Sequence, residues 1–138
     1  MTRRCNPMSG RGATATSVLL VALACTVPTA THAAERKLGE AEIRTLLDNN
    51  TVAGEDKQGA WKQFFDANGA TTYVQGTEPP SHGRWTVRGG KYCSQWPPAE
   101  GWACYEVTSD PTADPVPITW IGDSGGTYPG IVLMGNKL

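Results

Sequence analysis

Two adjacent glycines, Gly89 and Gly90, interrupt an alternating run from Arg84 to Gln95, and no other feature of the 138-residue chain restricts its fold as tightly. Glycine accepts positive φ without steric cost, so a Gly-Gly pair closes a two-residue antiparallel hairpin. That turn sets Arg88 opposite Lys91, Val87 opposite Tyr92 and Trp85 opposite Ser94. Side chains alternate along a strand, so Trp85, Val87 and Tyr92 share one face while Thr86, Arg88, Lys91 and Cys93 share the other. Placing Cys104 opposite Cys93 on a following strand brings Tyr105 beside Tyr92 and Glu106 opposite Lys91. The expectation is a three-stranded antiparallel unit, with aromatics on one face and a cross-strand disulfide and a Lys91–Glu106 charge pair on the other.

The amino terminus bears on the cysteines. Arg3, Arg4 and Arg11 precede an apolar run over 18–27, and no acidic residue occurs before Glu35. A run of about ten residues is short of the ~20 that cross a bilayer as a helix. Pro28 ends it, and Thr31, His32 and Ala33 place small residues before a cut between Ala33 and Ala34. Residues 1–33 are therefore expected to be a signal peptide and 34–138 a single β-rich domain, periplasmic or secreted, with no transmembrane segment. A lipoprotein anchored at Cys25 is the lesser alternative, because Ala22 stands where a branched apolar residue is expected. Cleavage removes Cys5 and Cys25 and leaves Cys93 and Cys104, an even pair best read as one disulfide. A zinc site or redox pair fails on spacing and on ligand number, His82 being the sole histidine after residue 33, so no metal or cofactor is expected. Loss of the three arginines leaves nine basic against 13 acidic residues, a formal charge of −4. With no basic stripe, nucleic acid is an unsuitable partner.

The remaining chain reads as a meander. A helix is expected over 38–47, with Ala41, Ile43, Leu46 and Leu47 on one face, Glu40 and Glu42 in its first turn, and Asn49 and Asn50 ending it. It would plug or cover the sheet. Trp61, Gln63 and Phe65 alternate with Lys62 and Phe64, 66–69 supplies turn chemistry, and 71–75 returns as a strand. Apolar runs at 118–121 and 131–134 bring the count to six or more strands. The fold class is mainly β: a small antiparallel meander forming a barrel, half-barrel or sandwich, with one short N-terminal helix.

Two segments invite a chemical reading. Gly122 to Gly126 reads GDSGG, which matches the active-site serine segment of chymotrypsin-like proteases, and His82, Asp110 or Asp114, and Ser124 follow in the matching order. Against this, the likeness spans five residues, Thr127 stands where proline is expected, and 105 residues can build one barrel rather than two. Asp, Ser and Gly are also what a turn between strands requires. Glu55, Asp56, Asp110 and Asp114 fall in predicted loops, where carboxylates are usually solvated. The disulfide-closed segment 95–102 carries Trp96, Trp102 and the stiff Pro97–Pro98 pair. Rigid aromatics on a held loop lose little entropy on contact, which makes Trp96 and Trp102 the candidate ligand-binding residues. The competing reading has them covering the rim of a small core.

LGEAEIRTLLDNNTV at 38–52, FFDANG at 64–69, GRWTVRGGKYCSQW at 83–96, ACYEV at 103–107 and GIVLMGNKL at 130–138 together resemble a family of small exported proteobacterial proteins of unknown function. That family carries a short helix before a meander with a G-x-W...YC...CY-x-V core. The resemblance implies a periplasmic β-rich domain and supplies no catalytic residue. The G-x-W before a cysteine is also similar to small periplasmic protease inhibitors, although the cysteine spacing here is shorter. The expected function is a non-enzymatic periplasmic module that binds a protein, a glycan or a small hydrophobic ligand. The alternatives are a serine hydrolase centred on Ser124 and an inhibitor or envelope-structural protein.

Overall fold

Alternation of large apolar and polar residues, broken by glycine and asparagine turns, folds the chain into nine strands and one helix in a computed structural model that describes residues 34–138. The signal-peptide and Cys25 expectations lie outside the described residues. In chain order the elements are β1 (Arg36–Lys37), α1 (Glu40–Leu47), β2 (Asn50–Asp56), β3 (Gly59–Phe65), β4 (Ala70–Gln75), β5 (Ser81–Arg88), β6 (Lys91–Gln95), β7 (Ala103–Ser109), β8 (Pro117–Gly122) and β9 (Thr127–Leu133). Consecutive strands from β2 to β9 pair antiparallel, and β9 also pairs with β2. Every strand in that series has two neighbours, so β2 to β9 form a closed eight-stranded antiparallel barrel, and β1 pairs with the end of β7.

The Gly89–Gly90 turn sets the register that its chemistry dictates: Arg88 faces Lys91, Val87 faces Tyr92 and Trp85 faces Ser94. On the next strand Tyr92 pairs with Tyr105 and Cys93 with Cys104, whose sulfurs form the disulfide. The expected Lys91–Glu106 contact is corrected. Lys91 Nζ binds Asp123 Oδ1 at 2.8 Å, and Glu106 Oε1 accepts from Lys37 Nζ at 2.6 Å. β1 and the β8–β9 turn, which lie outside the three-strand segment, supply closer partners to both charges.

The helix begins two residues later than its apolar pattern suggests. Gly39 takes the N-cap position, where its N–H donates to the Glu42 carboxylate at 2.9 Å. Leu38 is instead held in extended chain by donating its N–H to Val107 O at 2.8 Å, with its side chain buried. Ile43 and Leu47 are fully buried and Leu46 is half-buried, but Ala41, expected on the same face, is exposed. Asn49 ends the helix with φ at 58°, and Asn50 Nδ2 donates to Leu46 O at 3.1 Å. The chain then enters β2 directly, while Arg44 reaches Val87 O at the far end of β5. The helix therefore stoppers the end of the barrel where β2 begins and β5 finishes. There Ile43 and Leu47 join Val52, Phe65, Val87 and Val107 in one apolar cluster. Phe65 is its centre, with ring centroids 5.5 Å from Trp85, 5.8 Å from Tyr92 and 6.1 Å from Trp120.

Two outcomes follow from this construction. Replacing both cysteines (Cys93→Ala with Cys104→Ala) relaxes the unfolded chain and should lower stability by about 2–3 kcal/mol, read as a lower urea midpoint with an m-value slightly raised by the more expanded unfolded state. The Arg36 guanidinium binds Glu42 at 2.6 and 3.1 Å and, with the Gly39 N–H, holds that carboxyl at about 2, below its ordinary 4.5. A depressed folded-state value stabilises above pH 4.5, and the effect is lost as pH falls towards 2. The urea midpoint of Glu42→Gln should accordingly lie below that of the parent at pH 7, and the gap should close near pH 2.

Candidate functional site

At the end of the barrel away from α1, the inward positions of the strands carry aromatic side chains around a cavity of about 740 Å³. Trp61 and Gln63 come from β3 and Tyr73 from β4. Tyr92 and Ser94 come from β6, and Trp96 follows directly after it. Tyr105, Trp120 and Tyr128 are supplied by β7, β8 and β9. Their rings run in contact around the wall: Trp96 to Tyr73 at 6.3 Å, Tyr73 to Trp61 at 6.0 Å, and Trp61 to Trp120 at 6.2 Å. Trp120 to Tyr92 at 5.5 Å, Tyr92 to Tyr105 at 6.1 Å and Tyr105 to Tyr128 at 5.8 Å continue the series.

Glycines on the strands make room for this lining. A Cβ at Gly54 would collide with the Trp61 ring, and one at Gly130 would come within 2.7 Å of Val52 Cγ1 and 3.3 Å of Trp61. A Cβ at Gly83 would stand 2.6 Å from Gln95 O and 2.7 Å from the Trp96 ring. Trp61 and Trp96 thus lie against the barrel wall over backbone that bears no side chain.

The polar groups of the cavity are few and fixed. Gln63 Nε2 donates to Thr71 Oγ1 at 2.9 Å and to the Tyr92 hydroxyl at 3.0 Å, and the Thr71 hydroxyl donates to Phe64 O at 2.7 Å. Burial pushes the Tyr92 phenol up to about 12, so it stays neutral. Burial, followed by the Asp56 charge, raises Tyr73 as well. Asp56 Oδ1 accepts from Gln75 Nε2 at 2.7 Å and from Gln58 N at 2.8 Å. Asp56 is the single carboxylate among the described lining residues, and no lysine or arginine is among them. Trp120 is 5% exposed, and its indole N–H has no acceptor among the described residues.

The two tryptophans of the disulfide-closed segment are separated by this geometry. Trp96 shares the inward parity of Tyr92 and Ser94, is half-buried in the cavity wall, and donates Nε1–H to Ser94 Oγ at 3.2 Å. Trp102 shares the outward parity of Cys104, is 37% exposed, and lies under the Arg88 guanidinium at 4.9 Å. Trp61, Tyr73, Trp120 and Tyr128 were not singled out from the sequence. The available signal was aromatic residues recurring in one parity, with glycines at in-strand positions such as Gly83 and Gly130.

Gly122 to Gly126 forms the β8–β9 turn, in which Gly125 N donates to Gly122 O at 2.8 Å and Gly122 N to Gly126 O at 2.9 Å, leaving Ser124 exposed. His82 Nδ1 lies 3.2 Å from Thr72 Oγ1. Asp110 is buried and accepts from Thr112 N at 3.0 Å and Thr112 Oγ1 at 2.6 Å, while Asp114 is exposed. No hydrogen bond joins His82 to Ser124 among the described residues. Among those same residues no three His, Cys, Asp or Glu side chains gather as a metal site, and no helix is long and apolar enough to cross a membrane. No protein-family model matches the chain, and no curated protein or solved structure is significantly similar to it.

The seat of Trp96 is testable. Gly83→Ala should cost about 1–3 kcal/mol through overpacking, and should also displace the Trp96 ring, seen as a changed near-ultraviolet circular dichroism band and a shifted tryptophan emission. An unchanged spectrum would contradict this seating.

Proposed function

We propose that the domain from Ala34 onward is a non-enzymatic periplasmic binding module that takes a small ligand with an apolar or aromatic face into the barrel mouth. The observation that carries this reading is the continuous series of aromatic ring contacts, from Trp96 to Tyr128, lining a cavity whose opposite end is stoppered by α1. Its volume falls within the range of roughly 300–1,000 Å³ typical of small-molecule sites, and its lining is apolar with a few fixed polar groups. The Cys93–Cys104 disulfide suits an oxidising compartment, in keeping with the leader-like residues at the amino terminus and with the resemblance to small exported proteins. A hydrolase reading has less support, since Ser124 sits in an exposed turn and His82 Nδ1 lies against Thr72 Oγ1.

The probe N-phenyl-1-naphthylamine, whose emission rises in apolar surroundings, should bind one site with a Kd on the order of micromolar. Trp96→Ala should weaken it about fivefold or more by removing a wall of the cavity, and Trp102→Ala should leave it unchanged. Equal losses from both variants, or no binding, would overturn the proposal.

A further inference from the structure

We infer that the ligand of the barrel mouth is an organic cation, held by aromatic rings and the Asp56 carboxylate. This inference rests on the binding reading above and narrows it to a chemical class.

Aromatic faces carry partial negative charge and attract cations whose centre lies within about 6 Å of the ring centroid. Neighbouring rings of the wall stand 5.5 to 6.3 Å apart, so a cation seated against one can touch the field of a second. Basic residues would oppose such an occupant, and none of the described lining residues is lysine or arginine. The one formal charge in the lining, Asp56, is negative, and the three ion pairs among the described residues leave it out. Its Oδ1 is fixed by Gln75 and Gln58, so the carboxylate is positioned rather than adrift. His82 at the mouth is exposed and lies against Thr72, not Asp56. A purely hydrocarbon occupant reaching the exposed Asp56 would strip water from its carboxylate and return nothing to it, which costs free energy. An ammonium head with an apolar body compensates that charge and still stacks on the rings. The −4 formal charge of residues 34–138 adds attraction of the same sign at long range.

The test uses the purified domain at pH 8 and three probes of one shape: 1-naphthylmethyl-trimethylammonium, 1-naphthylmethanol and 1-naphthylacetate, each titrated calorimetrically and by displacement of N-phenyl-1-naphthylamine. The cation should bind about tenfold tighter than the alcohol, and the acetate should bind weakest. Asp56→Asn keeps the acceptor that Gln75 and Gln58 use, and should cut the affinity of the cation relative to that of the alcohol about threefold. Equal binding of alcohol and cation, with the reporter still displaced, overturns the cation inference and leaves the binding reading standing. Failure of the reporter and of all three probes overturns both.

Discussion

Closure of the sheet is the constraint from which the rest follows. Once β9 pairs with β2, the side chains of one parity on all eight strands are driven into a single enclosed space, and nothing on those strands can avoid it. An eight-stranded barrel has an interior that side chains can just fill, so the size of each inward residue decides whether a given level is core or cavity. Near the start of β2 the inward residues are Val52, Phe65, Val87 and Val107, and α1 adds Ile43 and Leu47 as a stopper. That level is filled. Near the end of β2 the inward positions alternate between large aromatics and residues with little or no side chain, such as Gly54, Gly83 and Ser94.

Much of this architecture was legible because turn chemistry acts locally. Gly89–Gly90 fixes the pairing of β5 with β6, and the cysteines then fix β6 with β7, so three strands could be aligned residue by residue from the chain alone. The β3–β4 hairpin is equally local, turning at 66–69 with Phe65 opposite Thr71. Closure was not legible. Thr51 pairs with Leu133 across more than half the chain, and no feature of either segment names the other, since 131–134 is a short apolar run that would serve any central strand and 50–56 mixes polar, small and acidic residues. The partners of surface charges were hidden for the same reason: Lys91 meets Asp123 only because β8 lies beside β7.

The candidate site was half visible. Trp96 was picked out for the stiffness of its loop, yet its position comes from strand parity, which places it inward with Tyr92 and Ser94 and leaves Trp102 outside with the disulfide. A loop was the wrong unit of reasoning. Five residues separate the two tryptophans in sequence, but the wall of the barrel runs between them. The helix was misjudged by two residues because Leu38 has the apolar character of a first helical turn, whereas its N–H is committed to Val107 and the Gly39–Glu42 contact starts the helix after it.

The glycines settle why the mouth is lined and not filled. A tryptophan pointing into a narrow barrel ordinarily crosses the lumen and packs against the opposite wall. Here the Trp61 ring lies over Gly54 and the Trp96 ring against Gly83, so both are laid flat along the strands from which a side chain is missing. Such an arrangement buries Trp61 to 7% exposure and leaves Trp96 half-buried, so the rings form a wall beside the open space of the mouth. A side chain at Gly54 or Gly83 would occupy the place of a ring, so these glycines fix where the Trp61 and Trp96 wall stands while the rings still meet Tyr73.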